Sequence, residues 1–149
     1  MNTFNRHCYF FTKLYQKFHF TPQLNFKLPA VFEYQSSVFL LETLLTVAGP
    51  KLLTQLYAML FASSECLAHL ALTPLTNFSV QKMLNHLKEP TDFENIFTCL
   101  SPHTEELLKI GHTGVVSALA SACLRLSCKQ AQMMSSLQSA LQCQGSASK

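Results

Sequence analysis

Two pairs of residues along this chain have the spacing of metal ligands. Cys66 and His69 are separated by two residues, and Cys99 and His103 by three. A structural zinc ion needs four thiolate or imidazole ligands that converge in a tetrahedron, usually from two such pairs. Both pairs lie in leucine-rich stretches with helical periodicity, which favours a buried thiol and a core histidine over a ligand pair. The sequence therefore predicts no bound metal and no other cofactor.

Nucleophilic catalysis has no better support. The chain has no Gly-x-Ser-x-Gly motif, and its single aspartate, Asp92, stands at the expected start of a helix. The segment Gly111-His112-Thr113-Gly114 is typical of a turn between helices rather than of a phosphate-binding loop. The sequence therefore predicts a non-enzymatic protein with no small-molecule substrate.

Composition limits the partners and the compartment. Charged residues make up 13% of the chain, and the net charge of +3 is not gathered into a Lys/Arg face. Nucleic acid requires such a face, so we expect no nucleic-acid partner. Six cysteines occur without a secretory signal, which predicts free thiols and a location in the cytoplasm or nucleus. A mitochondrial presequence in the acid-poor start of the chain and association with a membrane are the alternatives.

Helices are the elements that would position any site. Apolar residues recur at helical spacing from residue 35 to residue 143, in segments that end at glycine or proline, which predicts a helical domain. Residues 1–34 hold ten of the 16 aromatic residues and predict an irregular aromatic and basic arm. Residues 144–149 are small and polar and predict a disordered tail.

One stretch carries a family resemblance. Residues 105–111 (Glu-Glu-Leu-Leu-Lys-Ile-Gly), then Val115-Val116-x-x-Leu119, then an amphipathic segment at 130–142, resemble an armadillo repeat, in which a short helix ends at glycine and two longer helices follow. Residues 42–72 are similar. The resemblance implies an all-α fold of two armadillo- or HEAT-like units, and a small irregular helical bundle is the alternative.

The register of that resemblance departs from the family. Aligning Leu52-Leu53-x-x-Leu56 with Val115-Val116-x-x-Leu119 gives an offset of 63 residues. Armadillo and HEAT units span about 40–47 residues, so an insertion of roughly twenty residues around 73–90 is expected.

An apolar helical face would be the functional feature of such a stack. Solenoids need at least about three repeats, so two units leave an apolar face open to the arm or to another chain, unless this chain is a fragment or isoform of a longer helical-repeat protein. The sequence therefore predicts a protein-interaction module or scaffold with a protein partner. The alternative is a membrane-associated protein with a hydrophobic helical hairpin at 38–72. The candidate residues of the core or contact ridge are Leu52, Leu56, Leu60, Val115, Val116, Leu119, Leu137 and Leu141.

Overall fold

The structure, a computed structural model, describes residues 28–141, which form helices joined by short turns. No strand occurs in this part of the chain, so the predicted all-α fold of stacked helices is confirmed. The elements in chain order are a 3-10 turn (Ala30–Phe32), α1 (Gln35–Val47), α2 (Pro50–Leu56) with a π-helical continuation (Tyr57–Phe61), α3 (Ser64–Leu72), α4 (Asn77–His86), α5 (Pro90–Leu100), a 3-10 turn (Ser101–His103), α6 (Thr104–Lys109), α7 (Thr113–Arg125) and α8 (Gln130–Ala140).

The helices repeat as three-helix units. One unit consists of α3, α4 and α5, and the next of α6, α7 and α8, while α1 and α2 correspond to the second and third helices of a preceding unit. The third helices begin at Pro50, Pro90 and Gln130, so each step is 40 residues. The second helices, α1, α4 and α7, pack side by side with α4 in the middle. They form one continuous row, which we call the second-helix row.

This repeat length corrects the register that the sequence suggested. The predicted alignment superposed Leu52-Leu53-x-x-Leu56 on Val115-Val116-x-x-Leu119, but the first motif lies on α2, a third helix, and the second lies on α7, a second helix. Residues 73–90, which were expected to be an insertion, contain α4. Two leucine-rich amphipathic helices look alike in sequence wherever they stand in a repeat, so the apolar pattern alone could not assign the layer.

Buried positions set the register of the second-helix row. Val80 of α4 is buried, and so are its counterparts 39 residues earlier, Leu41 of α1, and 36 residues later, Val116 of α7. Leu45 and Leu84 are likewise buried at equivalent positions of α1 and α4. Burying the same face of each helix against its own unit leaves the opposite face of every second helix available on one surface.

Two turns between helices are closed by left-handed residues. Gly111 has φ +84°, and the His112 N–H donates to the carbonyl oxygen of Leu107 at 2.9 Å, as in a glycine-terminated helix. Ser127 has φ 54° after α7, and the next N–H, of Cys128, reaches back to the helix in the same way. These tight turns reverse the chain within a few residues and keep the helices of a unit in contact.

The two predicted ends of the chain fall largely outside the described residues. Residues 1–27 of the predicted arm and all of the predicted tail at 144–149 are in this group. Within the remainder of the arm, Phe32 is buried and contacts Phe61 edge-to-face, with ring centroids 5.8 Å apart. The chain therefore enters α1 across the core side of the π-helical turn.

Candidate functional site

The second-helix row carries equivalent exposed or half-buried positions in three sets, and each set has one member in each repeat. The first set is Phe39 on α1, Phe78 on α4 and Gly114 on α7, separated by 39 and 36 residues. These are the same two steps that relate the buried positions. The second set, one helical turn later in each helix, is Glu42, Gln81 and Ser117, and the third is Thr46, Asn85 and Ser121.

Two phenylalanine rings protrude from neighbouring helices of the row. Phe39 is 50% exposed and Phe78 is 54% exposed, although most large apolar side chains between residues 28 and 141 are buried or half-buried in the core. Helices in contact have axes about 8–10 Å apart, so the two rings stand one repeat apart along one surface. Flat apolar faces at that position can stack against another flat ring system.

A pair of side-chain amides lies beside Phe78. Asn77 is only 3% exposed, and its Nδ2 donates to the carbonyl oxygens of Pro74, at 2.7 Å, and Thr73, at 3.2 Å. Its Oδ1 accepts a hydrogen bond from Nε2 of Gln81 at 2.9 Å. Because Asn77 is anchored by the turn that precedes α4, it fixes the position of the half-buried Gln81 carboxamide. That carboxamide keeps an acceptor and one N–H for another molecule.

The preceding repeat presents a carboxylate where α4 presents this carboxamide. Glu42 accepts a hydrogen bond from the Ser79 hydroxyl at 3.2 Å, across the contact between α1 and α4. Burial raises the pKa of Glu42, while the Ser79 hydrogen bond and the charge of Lys82 act in the opposite direction. In the unit of α6, α7 and α8, the Ser117 hydroxyl occupies this position. The three repeats therefore differ in what they can donate and accept, although their backbones follow the same plan.

Positive charge near the row is modest. Residues 28–141 carry six Lys/Arg and eight Asp/Glu, so this part of the chain has more acidic than basic side chains. Lys82 is exposed on α4 beside Gln81. Arg125 of α7 donates to the carbonyl oxygens of Leu84, at 2.7 Å, and Leu87, and thereby caps the end of α4. A ligand of the row would be held mainly by ring faces and hydrogen bonds.

The cysteine–histidine pairs lie away from this surface. The described residues contain no group of three or more His, Cys, Asp or Glu that could hold a metal ion. The Cys99 thiol donates to the Ser64 carbonyl oxygen at 3.1 Å, and burial raises the pKa of both the Cys66 and Cys99 thiols. His103 pairs with Glu106 at 3.4 Å on the exposed side of α6. These contacts account for the two motifs as parts of the helical stack.

The predicted ridge residues are distributed over three helices. Three of them, on α7, belong to the buried core: Val115, Val116 and Leu119. Three others pack half-buried against that core: Leu56, Leu60 and Leu137. Leu52 on α2 and Leu141 after α8 are exposed, the latter to 59%. None of the eight belongs to the three sets of equivalent positions on the second-helix row.

Comparison with known proteins places this geometry in context. Residues 28–149 match the family of NOP9-like PUF repeat domains. The chain is 38% identical over 109 residues to nucleolar protein 9 of Mus musculus and 37% identical over the same length to that of Homo sapiens. The match covers 73% of this chain but only 17% of each relative, so the chain spans about a sixth of their length.

Solved structures show the same arrangement of helices. The chain superposes with a TM-score of 0.70 and 25% identity on APUM23 in structures with GGAAUUGACGG and with GGAUUUGACGG. The superposition covers 74% of this chain and 20% of the APUM23 chain. The uracils in those oligonucleotides identify them as RNA sequences.

These findings overturn two predictions from the sequence. A protein-interaction scaffold is wrong, because the matching repeat family and the APUM23 structures point to nucleic acid. The expectation of no nucleic-acid partner is wrong for the same reason: it rested on the lack of a basic patch, whereas the row offers rings and amides. The membrane hairpin at 38–72 is also unsupported, since that stretch contains the short helices α1, α2 and α3. No helix between residues 28 and 141 is long and apolar enough to cross a bilayer.

Proposed function

Because this chain belongs to the family of NOP9-like PUF repeat domains, we propose that it binds single-stranded RNA along its second-helix row. PUF repeats read RNA one base per helical repeat, through two or three side chains of each repeat. In this chain those side chains would be the equivalent positions of α1, α4 and α7. Recognition of this kind involves no chemical step, and we propose no reaction for the chain.

One observation carries the proposal most directly: an exposed ring beside an anchored amide on α4. The Phe78 ring offers a face on which a base can stack. Gln81, held by Asn77, offers an acceptor and a donor to the edge of the same base. On α1, Phe39 and Glu42 repeat the arrangement with a carboxylate, which only accepts hydrogen bonds when ionised. Adjacent repeats would therefore stack bases alike and discriminate between them differently.

The experiment that tests this proposal is a fluorescence-anisotropy titration of labelled single-stranded RNA with the full chain. GGAAUUGACGG, the RNA of the similar APUM23 structure, serves as the starting probe. Removing one stacking ring costs about 1–3 kcal/mol, so Phe78→Ala should weaken binding roughly 5- to 150-fold. Met59→Ala is the matched control, because Met59 is an exposed large apolar residue that lies on the π-helical turn after α2 and not on the second-helix row.

Two results would count against RNA binding on this surface. One is an affinity for single-stranded RNA no greater than for a duplex of the same sequence, since a paired base cannot stack on Phe78. The other is an equal loss of affinity in Phe78→Ala and Met59→Ala, which would show a general effect of removing exposed apolar side chains.

The size of the chain limits the proposal to one part of a longer recognition surface. The chain spans about a sixth of the nucleolar protein 9 sequences, so we propose that it holds a few bases of a longer site. The names of these relatives also favour the nucleolus as its location. Imaging a fluorescent fusion of the full chain with a nucleolar marker tests this, and uniform cytoplasmic signal would contradict it.

A further inference from the structure

We propose that Gly114 is a positioning residue: its missing side chain leaves the space in which the Gln81 carboxamide sits, and so sets which base the α4 repeat prefers. This inference rests on the proposed RNA binding and assigns one determinant of its specificity. It concerns the only second helix in the described chain without a ring at the first of the equivalent positions, where α1 has Phe39 and α4 has Phe78.

The geometry at the contact between α4 and α7 supports this role. A Cβ atom built on Gly114 would lie 2.5 Å from Nε2, 2.6 Å from Oε1 and 2.7 Å from Cδ of Gln81. Those distances are far shorter than any van der Waals contact, so the two groups cannot occupy their places together. All the atoms concerned belong to the flexible end of the Gln81 side chain, and this end would move while the backbone stays.

The displaced group is the one that has been positioned for a ligand. Gln81 is held by the hydrogen bond from its Nε2 to Asn77 Oδ1 at 2.9 Å. Any side chain at position 114 would push the carboxamide out of this bond and swing its free acceptor and donor away. A ring at position 114, as at the equivalent positions 39 and 78, would begin with the same Cβ clash. The unit of α6, α7 and α8 therefore lacks a stacking ring at position 114, and the unit of α3, α4 and α5 keeps the Gln81 carboxamide in a fixed position.

The backbone conformation of Gly114 distinguishes this positioning role from a need for the conformational freedom of glycine. Gly114 lies in the first turn of α7 and does not have the positive φ that Gly111 has. Alanine is therefore allowed there and is a better helix former than glycine. Gly114→Ala should leave the melting temperature unchanged or raise it, while it disturbs Gln81. A residue needed only for folding would lose stability instead.

Gly49→Ala is the matched control. Gly49 precedes α2, has φ −72°, and a Cβ built on it meets no atom within 4 Å. It adds the same methyl group to the same protein, in the turn between α1 and α2, where the methyl displaces no side chain.

The test combines a binding panel with a double-mutant cycle. The RNA panel contains sequences that differ in a single base, at one position after another. Each RNA is titrated with four proteins, which are the wild type, Gly114→Ala, Gln81→Ala and the double variant. A bidentate amide–base pair discriminates by about 1–3 kcal/mol, so Gly114→Ala should flatten the preference at one position by roughly 5- to 150-fold. It should have no further effect in the Gln81→Ala background, because it acts through Gln81. Equal preferences in wild type and Gly114→Ala, or additive effects of the two substitutions, would overturn the proposal.

A second measurement does not depend on RNA binding. The side-chain amide signals of Gln81 and Asn77 in an NMR spectrum report their shared hydrogen bond, and Gly114→Ala should shift both while Gly49→Ala leaves them in place. If the chain bound no RNA, the proposed function would fail although these shifts could still occur. If the signals were unmoved by Gly114→Ala, the positioning role itself would be refuted.

Discussion

Asn77→Ala offers the sharpest test of how the candidate site is built into the fold. The substitution removes the hydrogen bonds from Nδ2 to the carbonyl oxygens of Pro74 and Thr73, and the one from Gln81 to Oδ1. Thr73 keeps a backbone bond, because its carbonyl oxygen also accepts from the Asn77 N–H at 3.0 Å. Gln81 is half-exposed and can turn to water. The principal loss is the partner of the Pro74 carbonyl at a half-buried turn.

The size of this effect follows from those contacts. A buried acceptor left without its partner costs about 1–3 kcal/mol, and the Pro74 carbonyl is half-buried, so the free energy of unfolding should fall by about 1 kcal/mol. For a domain of this size that corresponds to a decrease in melting temperature of roughly 3–6 °C. Circular dichroism at 222 nm during thermal and urea unfolding measures both quantities. The chain offers Asn85→Ala as a control, since Asn85 is exposed two turns later on α4 and should change stability by less than about 0.5 kcal/mol.

The same variant also has an expected consequence for binding. Without Asn77, the Gln81 carboxamide loses its fixed orientation, so base preference should weaken while stacking on Phe78 remains. An Asn77→Ala variant as stable as Asn85→Ala would refute the anchoring that we describe between the α3–α4 turn and Gln81. A variant that is destabilised but keeps its full base preference would refute the link from this anchor to recognition.

Three further outcomes are expected. Lys82→Gln should weaken binding uniformly across RNA sequences and make the slope of log K against log salt shallower by about 0.7. The control is Lys109→Gln, which should leave that slope unchanged, because Lys109 pairs with Glu105 on α6. Ser127→Gly should raise the free energy of unfolding by about 1 kcal/mol in urea titrations, because glycine adopts the positive φ at this turn without strain, and a loss of stability would contradict the turn geometry. Burial raises the pKa of Glu42 in the folded chain, so ionisation of Glu42 lowers the stability of the wild type as the pH rises through that pKa. Parallel thermal melts of wild type and Glu42→Gln should therefore show the variant gaining stability relative to wild type from pH 4 to pH 8. A difference in stability that stays constant over this pH range would contradict the expectation.

The sequence predicted the fold class and its helical-repeat character but not the alignment of the repeats. Leucine periodicity and the glycine and proline stops identified the helices, because each helix buries one face and ends where the chain turns. The alignment of the repeats was wrong because Leu52, Leu53 and Leu56 on a third helix have the same apolar spacing as Val115, Val116 and Leu119 on a second helix. A pattern of buried residues shows which face of a helix lies inside, but it does not show whether that helix is the first, second or third of its repeat.

The candidate site was missed for a related reason. The partner was predicted from the net charge and from the apolar ridges, but the candidate site on the second-helix row has neither a basic patch nor an apolar ridge. Its signal is polar and aromatic: Phe39 and Glu42, three residues apart, recur as Phe78 and Gln81 after 39 residues. Each pair is followed by an apolar helical run, so the recurrence is visible in the sequence once the correct step is known. The anchoring by Asn77 and the space at Gly114 depend on contacts between helices, which no local pattern reveals.

Photocrosslinking is the measurement that tests the central claim most directly. RNA in which single uridines are replaced by 4-thiouridine is bound to the full chain, irradiated and digested, and the crosslinked peptides are identified by mass spectrometry. If single-stranded RNA lies on the second-helix row, the crosslinks should map to α1, α4 and α7, and crosslinks near Phe78 should decrease in Phe78→Ala. Crosslinks concentrated on α2, α5 and α8, the third helices, would place the RNA on another surface and contradict the account.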